Sequence, residues 1–321
     1  RARILSPLCL PISPRGHLFF ALFYINLFIT QLITKHNIYY FIFKMNLSLI
    51  IISYKSISKL EKCLSTIGDK REIIVLENSD KHEIKKNIES KHNNCKVIVN
   101  NKNLGYGKAA NIGFRQTKSQ YAMVLSTDVK ISESQLMSIE NEIFNCKEDF
   151  ALASPIYDDL IDFNKNKNFD KELNTKELNI NNKENRTKVD LIKGCSLVVN
   201  LSKFSDKNIF DENIFFFFEE IDLCKRVKNM KENIFVFNNI KIFHESGKGV
   251  DSDINLEYDD FRNWNYYWSR FYYHKKHYGY LKSFFMHFSK LVRFFISFIV
   301  LFFFSKNRFR KNKSRFFGLF S

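Results

Sequence analysis

"LSLIIISYKSISKLEKCLSTIGDKREIIVLEN", residues 47–78, is the stretch that decides the fold. Its first seven residues are a short continuous apolar run, which is typical of a strand buried on both faces. Ser58 and Glu61 have the spacing of a capping box, and apolar residues from Leu60 to Ile67 follow at helical spacing. The last seven residues form a second apolar run. The order strand, helix, strand predicts a parallel βαβ unit.

The same alternation continues down the chain. We predict a polar helix opening at residues 80–83, a strand over "CKVIVN" (95–100), a glycine-bearing loop over 100–114 that leads into a third helix, and a strand over "YAMVLSTD" (121–128). A capping box from Ser132 to Gln135 marks the next helix. These elements predict an α/β, Rossmann-like fold with a mostly parallel central sheet flanked by helices.

Strand-like runs return after a polar segment. Residues 158–189 are rich in Asn, Lys, Asp and Glu, which predicts a long mobile loop or a polar insertion. Three runs that follow it are strand-like: "VDLIKGCSLVVN" (189–200), "NIFVFNN" (233–239) and "IKIFHESGKG" (240–249).

The net charge of +16 belongs to the two ends of the chain. Residues 1–44 carry five Lys or Arg and no acid, residues 261–321 carry thirteen and no acid, and residues 45–260 have a net charge of −2. A nucleic-acid-binding core is therefore not supported, whereas basic residues beside apolar segments suit an anionic membrane surface. The six cysteines are far apart and contain no CxxC pair, so we interpret them as buried thiols in a reducing compartment.

Each end contains an apolar stretch. Residues 1–44 precede the first Met, and we interpret them as a non-native upstream extension or, through the uncharged stretch 18–34, as an apolar anchor. The stretch 283–305 is aromatic-rich and is followed by basic residues, which predicts a helix lying in a membrane interface. A buried core or dimer-interface helix is the alternative. We thus divide the chain into 1–44, a catalytic domain over 45–260, and a helical membrane-associated tail over 261–321.

Polar residues end three of the predicted strands. They are Ser53 and Tyr54, Glu77 and Asn78, and Ser126 to Asp128. Ligands of parallel sheets bind beyond the carboxyl ends of the strands, so these residues are candidates for a binding site. In "DENIFFFFEEIDLCKR" (211–226), four phenylalanines run into Glu219, Glu220 and Asp222. From these residues alone, the carboxylates are either a solvated helix start or an active site.

Seven segments, in order over about two hundred residues, resemble a family 2 glycosyltransferase of the rhamnosyltransferase-like bacterial branch. They are "LSLIIISYKS", "EIIVLENSD", "NLGYGKAANIG", "LSTDV", "IKGCSLVV", "FDENIFFFFEEIDLCKR" and "IFHESGKG". The resemblance implies a GT-A fold, a nucleotide-sugar donor such as dTDP-rhamnose or a UDP-sugar, a Mg²⁺ or Mn²⁺ ion, and inversion at the anomeric carbon. It also implies a glycolipid or polysaccharide acceptor and work at the cytoplasmic face of the bacterial inner membrane.

The resemblance also suggests which residues bind the donor. "STD" stands where the family carries an acidic motif, so Asp128 is the single acidic ligand, and His244 matches a histidine that completes the coordination of the metal. Glu77 stands where an aspartate usually contacts the base or ribose. The other predicted donor contacts are Ser53, Tyr54, Asn78, Asn103, Gly105, Asn111, Ser126 and Gly194, and Cys195 shares a small-residue turn with Gly194.

The general base is expected in the phenylalanine segment. Glu220 takes the place of the usual aspartate, with Glu219 as its rival, and Asp222 has a structural or acceptor-orienting role in the first turn of a helix. The Phe run would form a buried strand or turn. Two other functions stay open: a nucleotidyltransferase, disfavoured because "SYKSISK" has no glycine, and a non-catalytic binding or scaffold protein, which the short acidic motif allows.

Overall fold

The computed structural model describes residues 47–157, 173, 184–245 and 256–320. The expectations for residues 1–44 and for most of 158–189 therefore lie outside the described residues. Asn46–Ser321 form one compact unit. The boundary that we predicted at residue 261 falls inside a helix, Leu256–Tyr278.

Nine strands and eight α-helices make up the described part of the chain. The strands are β1 Leu47–Ser53, β2 Ile73–Glu77, β3 Cys95–Val99, β4 Tyr121–Ser126, β5 Val129–Lys130, β6 Leu152–Tyr157, β7 Arg186–Lys188, β8 Ser196–Asn200 and β9 Ile234–His244. The helices are α1 Ile57–Thr66, α2 Glu83–Lys91, α3 Tyr106–Gln116, α4 Glu133–Phe144, α5 Glu219–Asn229, α6 Leu256–Tyr278, α7 Tyr280–Phe304 and α8 Lys306–Phe320.

The strands form a mixed sheet in the order β3-β2-β1-β4-β8-β6-β9-β5, and β7 pairs with β9. The pairs β1–β2, β2–β3, β1–β4 and β6–β9 are parallel. The pairs β4–β8, β6–β8, β5–β9 and β7–β9 are antiparallel. The prediction of a mostly parallel sheet is thus right for β1 to β4. It is wrong for most pairs of the second half, where β6–β9 is parallel but β4–β8, β6–β8, β5–β9 and β7–β9 are antiparallel, because strand direction depends on how the chain re-enters the sheet.

Both faces of the sheet are covered. Alternate residues of β1 point to opposite faces, as Ile51 and Ile50 show by belonging to two different buried clusters. The first cluster is completed by α1, α2 and α4, and the second by α3, α5 and Tyr273 of α6. This double burial explains why β1, β2 and β8 read as continuous apolar runs.

One local prediction, the capping box at Ser58, is wrong. The first helix begins at Ile57 with Ser56 at its N-cap, and Ser58 makes no capping box. The Ser56 hydroxyl lies 3.2 Å from both Ser53 Oγ and Thr127 Oγ1, so it joins strand ends instead of capping the helix. The strand-like character of the runs at 233–239 and 240–249 is confirmed for Ile234–His244, which form one continuous strand, β9, whose pairing with β6 shifts between Pro155 and Ile156. The capping box at Ser132 and Gln135 is confirmed.

The C-terminal helices α6, α7 and α8 pack against one another. Asp260 binds Arg310 at 2.7 Å, and a Cβ on Gly318 would lie 2.5 Å from the Trp264 carbonyl oxygen, so α6 and α8 are in close contact. Among the helices in the described ranges, none combines the length and apolarity needed to cross a membrane.

Candidate functional site

The carboxyl ends of β1, β2 and β4 come together, as predicted. Ser53 is level with Glu77 on β2, and its neighbour Ile52 is level with Ser126 on β4. Glu77 is fully buried: Ser53 Oγ donates to one carboxylate oxygen at 2.6 Å, and the backbone N–H of Ser79 donates to the other at 2.8 Å. The carboxylate therefore ties two strand ends together, and Tyr54 follows them half-buried.

The "NLGYG" loop lies against the phenylalanine segment. Asn103 Oδ1 accepts from the N–H of Gly105 at 3.0 Å, and Asn78 Nδ2 donates to the Gly105 carbonyl at 3.3 Å. Gly105 has a φ of +82°, and a Cβ there would lie 2.3 Å from the carbonyl oxygen of Phe215. That carbonyl accepts a hydrogen bond from Tyr106 N at 3.1 Å. Only glycine permits both this backbone conformation and this close approach.

Asn111, which we predicted as a donor contact, brackets the backbone of Phe210. Its Nδ2 donates to the Phe210 carbonyl at 2.9 Å, and its Oδ1 accepts from the Phe210 N–H at 2.9 Å. Asn111 is fully buried on α3. Its side chain thus orders the start of the segment that carries the carboxylates.

Asp128 and His244 lie together at the edge of the sheet. The pairing of β5 with β9 sets Val129 opposite His244, and Asp128 Oδ2 is 3.5 Å from His244 Nε2. Burial lowers the pKa of His244, but the hydrogen bonds to Asp128 and Cys195 outweigh it and raise the pKa to about 10. The described residues offer no hydrogen-bond partner to Asp128 Oδ1, although this atom is buried.

These two residues fit a divalent cation that takes its other ligands from a bound molecule. An unpaired buried carboxylate oxygen is a suitable ligand for Mn²⁺ or Mg²⁺, and His244 could join it as a neutral imidazole when the cation displaces its proton. Three or more His, Cys, Asp or Glu side chains in metal-binding proximity are not found in the described ranges. A cation bound by Asp128 and His244 could complete its coordination with oxygens of water or of a ligand such as a diphosphate.

The four phenylalanines, Phe215–Phe218, lie in a turn. Among them Phe218 alone is buried, and the helix α5 begins directly after it. Phe217 and Phe218 have φ values of +67° and +71°. Consecutive left-handed residues without glycine are costly, and such strain is held in place by surrounding contacts, often at functional sites. The turn sets Glu219 and Glu220 in the first turn of α5.

The two glutamates differ in exposure. Glu219 is 5% exposed, and its buried Oε2 has no hydrogen-bond partner within the described residues. Burial, and then the charge of Glu220, raise the pKa of Glu219 well above its usual range. Burial also raises the pKa of Glu220, while the N–H groups of Glu220 and Ile221 and the charge of Lys193 oppose the rise. Glu220 is the more accessible of the two.

A small-residue turn joins the glutamates to the Asp128–His244 pair. A Cβ on Gly194 would lie 3.3 Å from Cβ of Glu220, so the glutamate packs over this glycine. The next residue, Cys195, helps to raise the pKa of His244 and so is close to it. The hydroxyl of Tyr106 donates to the Gly194 carbonyl at 2.6 Å. Tyr106 and Lys193 were not singled out from the sequence, because nothing in the local pattern distinguishes them.

Asp222 is a structural hub. It is fully buried, and its oxygens accept from Arg226 Nε at 2.8 Å, His277 Nε2 at 2.8 Å and Lys276 Nζ at 2.7 Å. These contacts join α5 to α6 and occupy both oxygens of the carboxylate. The geometry supports the structural role suggested by its position in the first turn of the helix and offers no support for Asp222 as a catalytic group.

The helix α6 holds the phenylalanine segment from outside. Ser269 Oγ donates to the Phe216 carbonyl at 2.9 Å, and Lys276 Nζ binds Asp211 at 2.7 Å. We interpreted this part of the chain as a tail from its composition. The sequence contained an indication that this part packs on the Phe run. Two acids, Asp211 and Asp222, flank the run, and "KKH" at 275–277 supplies the basic residues that pair with them.

Comparison with known proteins agrees with this architecture. Residues 48–200 match the family described as Glycosyl transferase family 2. The chain is 23% identical over 214 residues to the low-salt glycan biosynthesis hexosyltransferase Agl10 of Haloferax volcanii, a match that covers 59% of this chain and 64% of the relative's length. The fold is shared with a mannosyltransferase of Pyrobaculum calidifontis, solved with GDP-Man and Mn²⁺, at a TM-score of 0.50 and 10% identity over 85% of both chains. The family match covers residues 48–200, slightly less than half of the chain, and the fold is GT-A-like.

Proposed function

We propose that the chain is an inverting, metal-dependent glycosyltransferase that uses a nucleotide-sugar donor. One observation carries the proposal. Glu220 packs over Gly194, and the next residue, Cys195, is close to His244, which is paired with Asp128. A candidate carboxylate base and a candidate cation-binding pair thus both lie next to one small-residue turn. An inverting transfer needs these two parts on opposite sides of the reacting carbon.

In the proposed reaction, Glu220 accepts the proton of an acceptor hydroxyl. The hydroxyl oxygen forms a bond to the anomeric carbon, and the bond from that carbon to the β-phosphate oxygen breaks, with the electron pair leaving on the nucleoside diphosphate. Glu220 suits this role because it is more accessible than Glu219 and its raised pKa makes it a stronger base than an ordinary carboxylate. A divalent cation held by Asp128 and His244 would supply positive charge for the leaving diphosphate.

The sugar is a hexose or rhamnose, and the acceptor is a lipid-linked or cell-surface polysaccharide precursor. The match to a hexosyltransferase of glycan biosynthesis and the fold shared with a GDP-Man-bound mannosyltransferase support a hexosyl donor. The rhamnosyl donor rests on the order of the sequence motifs.

A transfer assay tests the activity. The full chain is incubated with UDP-, GDP- and dTDP-sugars and Mn²⁺, alone and with lipid-linked glycan acceptors. We expect release of nucleoside diphosphate from one donor and a loss of about 10²- to 10⁴-fold on Glu220→Gln. The exposed Glu148→Gln variant is the control. No release from any donor would exclude the activity and leave the non-catalytic alternative.

Calorimetry with the nucleoside diphosphate tests the cation site. We expect Asp128→Ala to abolish the Mn²⁺-dependent part of binding, because it removes the unpaired carboxylate oxygen. Unchanged binding would exclude this site.

We further propose that the enzyme works at an anionic membrane surface, at the cytoplasmic face of the inner membrane. Along one side of α7, large apolar side chains are exposed at three- and four-residue spacing: Leu281 and Phe285 at 72%, Phe288 at 48%, Val292 at 38%, Phe295 at 47% and Ile299 at 47%. Lys282 and Arg293 lie on the same helix, and residues 261–321 contain no acid. An apolar face with basic neighbours is complementary to anionic lipid.

Vesicle co-sedimentation tests this surface. We expect binding to vesicles that contain anionic lipid, weaker binding at high salt, and loss of binding on Phe285→Ser. Phe144→Ser, on α4, is a control because Phe144 is also exposed, at 53%. Equal binding of both variants would contradict the proposal.

A further inference from the structure

Arg262 lies on α6, outside the residues that match the family. Its guanidinium is 5.6 Å from the centre of the Phe217 ring and 5.8 Å from that of Tyr258. Phe217 is also held by Tyr266, with ring centres 5.6 Å apart. The arginine is therefore packed against the left-handed turn that leads into Glu219.

No carboxylate is paired with Arg262 in the described part of the chain. Two acids near the start of α6 are engaged elsewhere: Asp260 binds Arg310 at 2.7 Å, and Asp259 lies 3.7 Å from Lys311. On the same helix, Lys276 is bound to both Asp211 and Asp222. Arg262 is half-buried and its guanidinium lies over two aromatic rings, an arrangement in which the N–H edge of a guanidinium can still bind an anion.

The aromatic residues that Arg262 contacts lie near residues that we predict to bind the donor. Phe215, two residues before Phe217, contacts the Gly105 loop through its carbonyl. On the other side, burial raises the pKa of the Tyr258 hydroxyl, and the charges of Tyr54 and Asp128 add to the rise while Arg262 opposes it. Tyr258 is thus within electrostatic range of the predicted donor and metal residues. Arg262 therefore contacts both Phe217, in the turn that leads into Glu219, and Tyr258, whose hydroxyl is influenced by Tyr54 and Asp128.

We propose that Arg262 binds the diphosphate of the donor and stabilises the nucleoside diphosphate as it leaves. The inference rests on the proposed glycosyl transfer, in which the electron pair of the breaking C–O bond moves to the β-phosphate oxygen. A guanidinium presents parallel N–H donors that match two phosphate oxygens. The interaction strengthens as negative charge develops on the leaving group.

Binding and kinetics of Arg262→Ala and Arg262→Lys test the proposal, with the exposed Lys275→Ala of the same helix as control. UDP, GDP and dTDP, each with Mn²⁺, are titrated into each variant by calorimetry. We expect the affinity of the best nucleotide to fall about 10- to 100-fold in Arg262→Ala, and less in Arg262→Lys, which keeps the charge but loses the paired donors. We expect kcat to fall about 10²- to 10³-fold with an unchanged KM for the acceptor.

Thermal unfolding of the same variants separates binding from structure. We expect the melting temperature of Arg262→Ala to stay near that of the control. Nucleotide affinity and kcat equal to the control, or losses explained by a smaller folded fraction, would overturn the inference. If wild-type protein transfers no sugar from any donor, the proposed function fails, yet the nucleotide titrations still decide the role of Arg262 because they need no turnover.

Discussion

A comparison of Gly105→Ala with Gly279→Ala should separate the cost of backbone strain from the effect of displacing the turn that leads into Glu220. Gly105 has a φ of +82°, and Gly279, between α6 and α7, has a φ of +84°. Alanine costs about 1–2 kcal/mol in the left-handed region at either position. The added Cβ would lie 2.3 Å from the Phe215 carbonyl oxygen at position 105, but it would meet nothing within 4 Å at position 279. Gly279→Ala is therefore a control that keeps the strain and lacks the collision.

The size of the displacement follows from the collision. A relaxed carbon–oxygen contact requires about 3.2 Å, so the Phe215 carbonyl must move by roughly 1 Å. The hydrogen bond from Tyr106 N to this carbonyl would be stretched, at a net cost of about 1 kcal/mol. Because Phe215 lies five residues before Glu220, the base would move too. A misplacement of about 1 Å can reduce turnover about 10²-fold.

Chemical denaturation and initial rates of donor turnover measure the two effects. Both variants should lose stability, Gly105→Ala by about 1 kcal/mol more, and only Gly105→Ala should lose about 10²-fold in rate. Wild-type rates in both variants would refute the argument that the Gly105 loop positions the base. Equal loss of rate in both would show that the strain, and not the collision, is responsible.

Three further substitutions test the surroundings of the site. Asp222→Asn should lower the free energy of unfolding at pH 7 by about 3–5 kcal/mol, because it breaks a buried ion cluster. Burial raises the Asp222 pKa, but His277 and the nearby cations bring it below its ordinary 3.8, so this stabilisation is present above about pH 4 and lost at lower pH. Denaturation curves at pH 7 and pH 3 that show the same gap between wild type and Asp222→Asn would contradict this. Glu219→Gln should leave stability equal or higher at pH 8, since the raised Glu219 pKa makes its ionised form unfavourable in the folded state as the pH rises; a marked loss in melting temperature would show that the charge is needed. Ser132→Ala should cost about 1 kcal/mol by removing the N-cap of α4, measured by denaturation, and no change would argue that the capping box contributes nothing.

Local patterns predicted the first half of the sheet well. Continuous apolar runs and helical spacing are properties of neighbouring residues, so β1 to β4 and the intervening helices could be placed from the sequence. The direction of β8 and β9 was not predictable in this way, because antiparallel pairing with β4 and β5 depends on the path of the chain between them. An apolar run has the same composition in either direction.

What the sequence alone determined is which residues are candidates for the chemistry: the strand-end polar residues follow from type and position, and Asp128, His244 and the two glutamates from the family resemblance. Only the tertiary structure decided what those residues contact. Asn111 belongs by position to the donor loop, yet the helix α3 turns its amide to Phe210. Asp222 belongs by position to the carboxylate cluster, yet it is paired with His277, 55 residues away. Partners so distant in sequence are brought together by packing. No local pattern therefore encodes that Asp222 is paired with cations while Glu220, two residues before it, stays partly accessible.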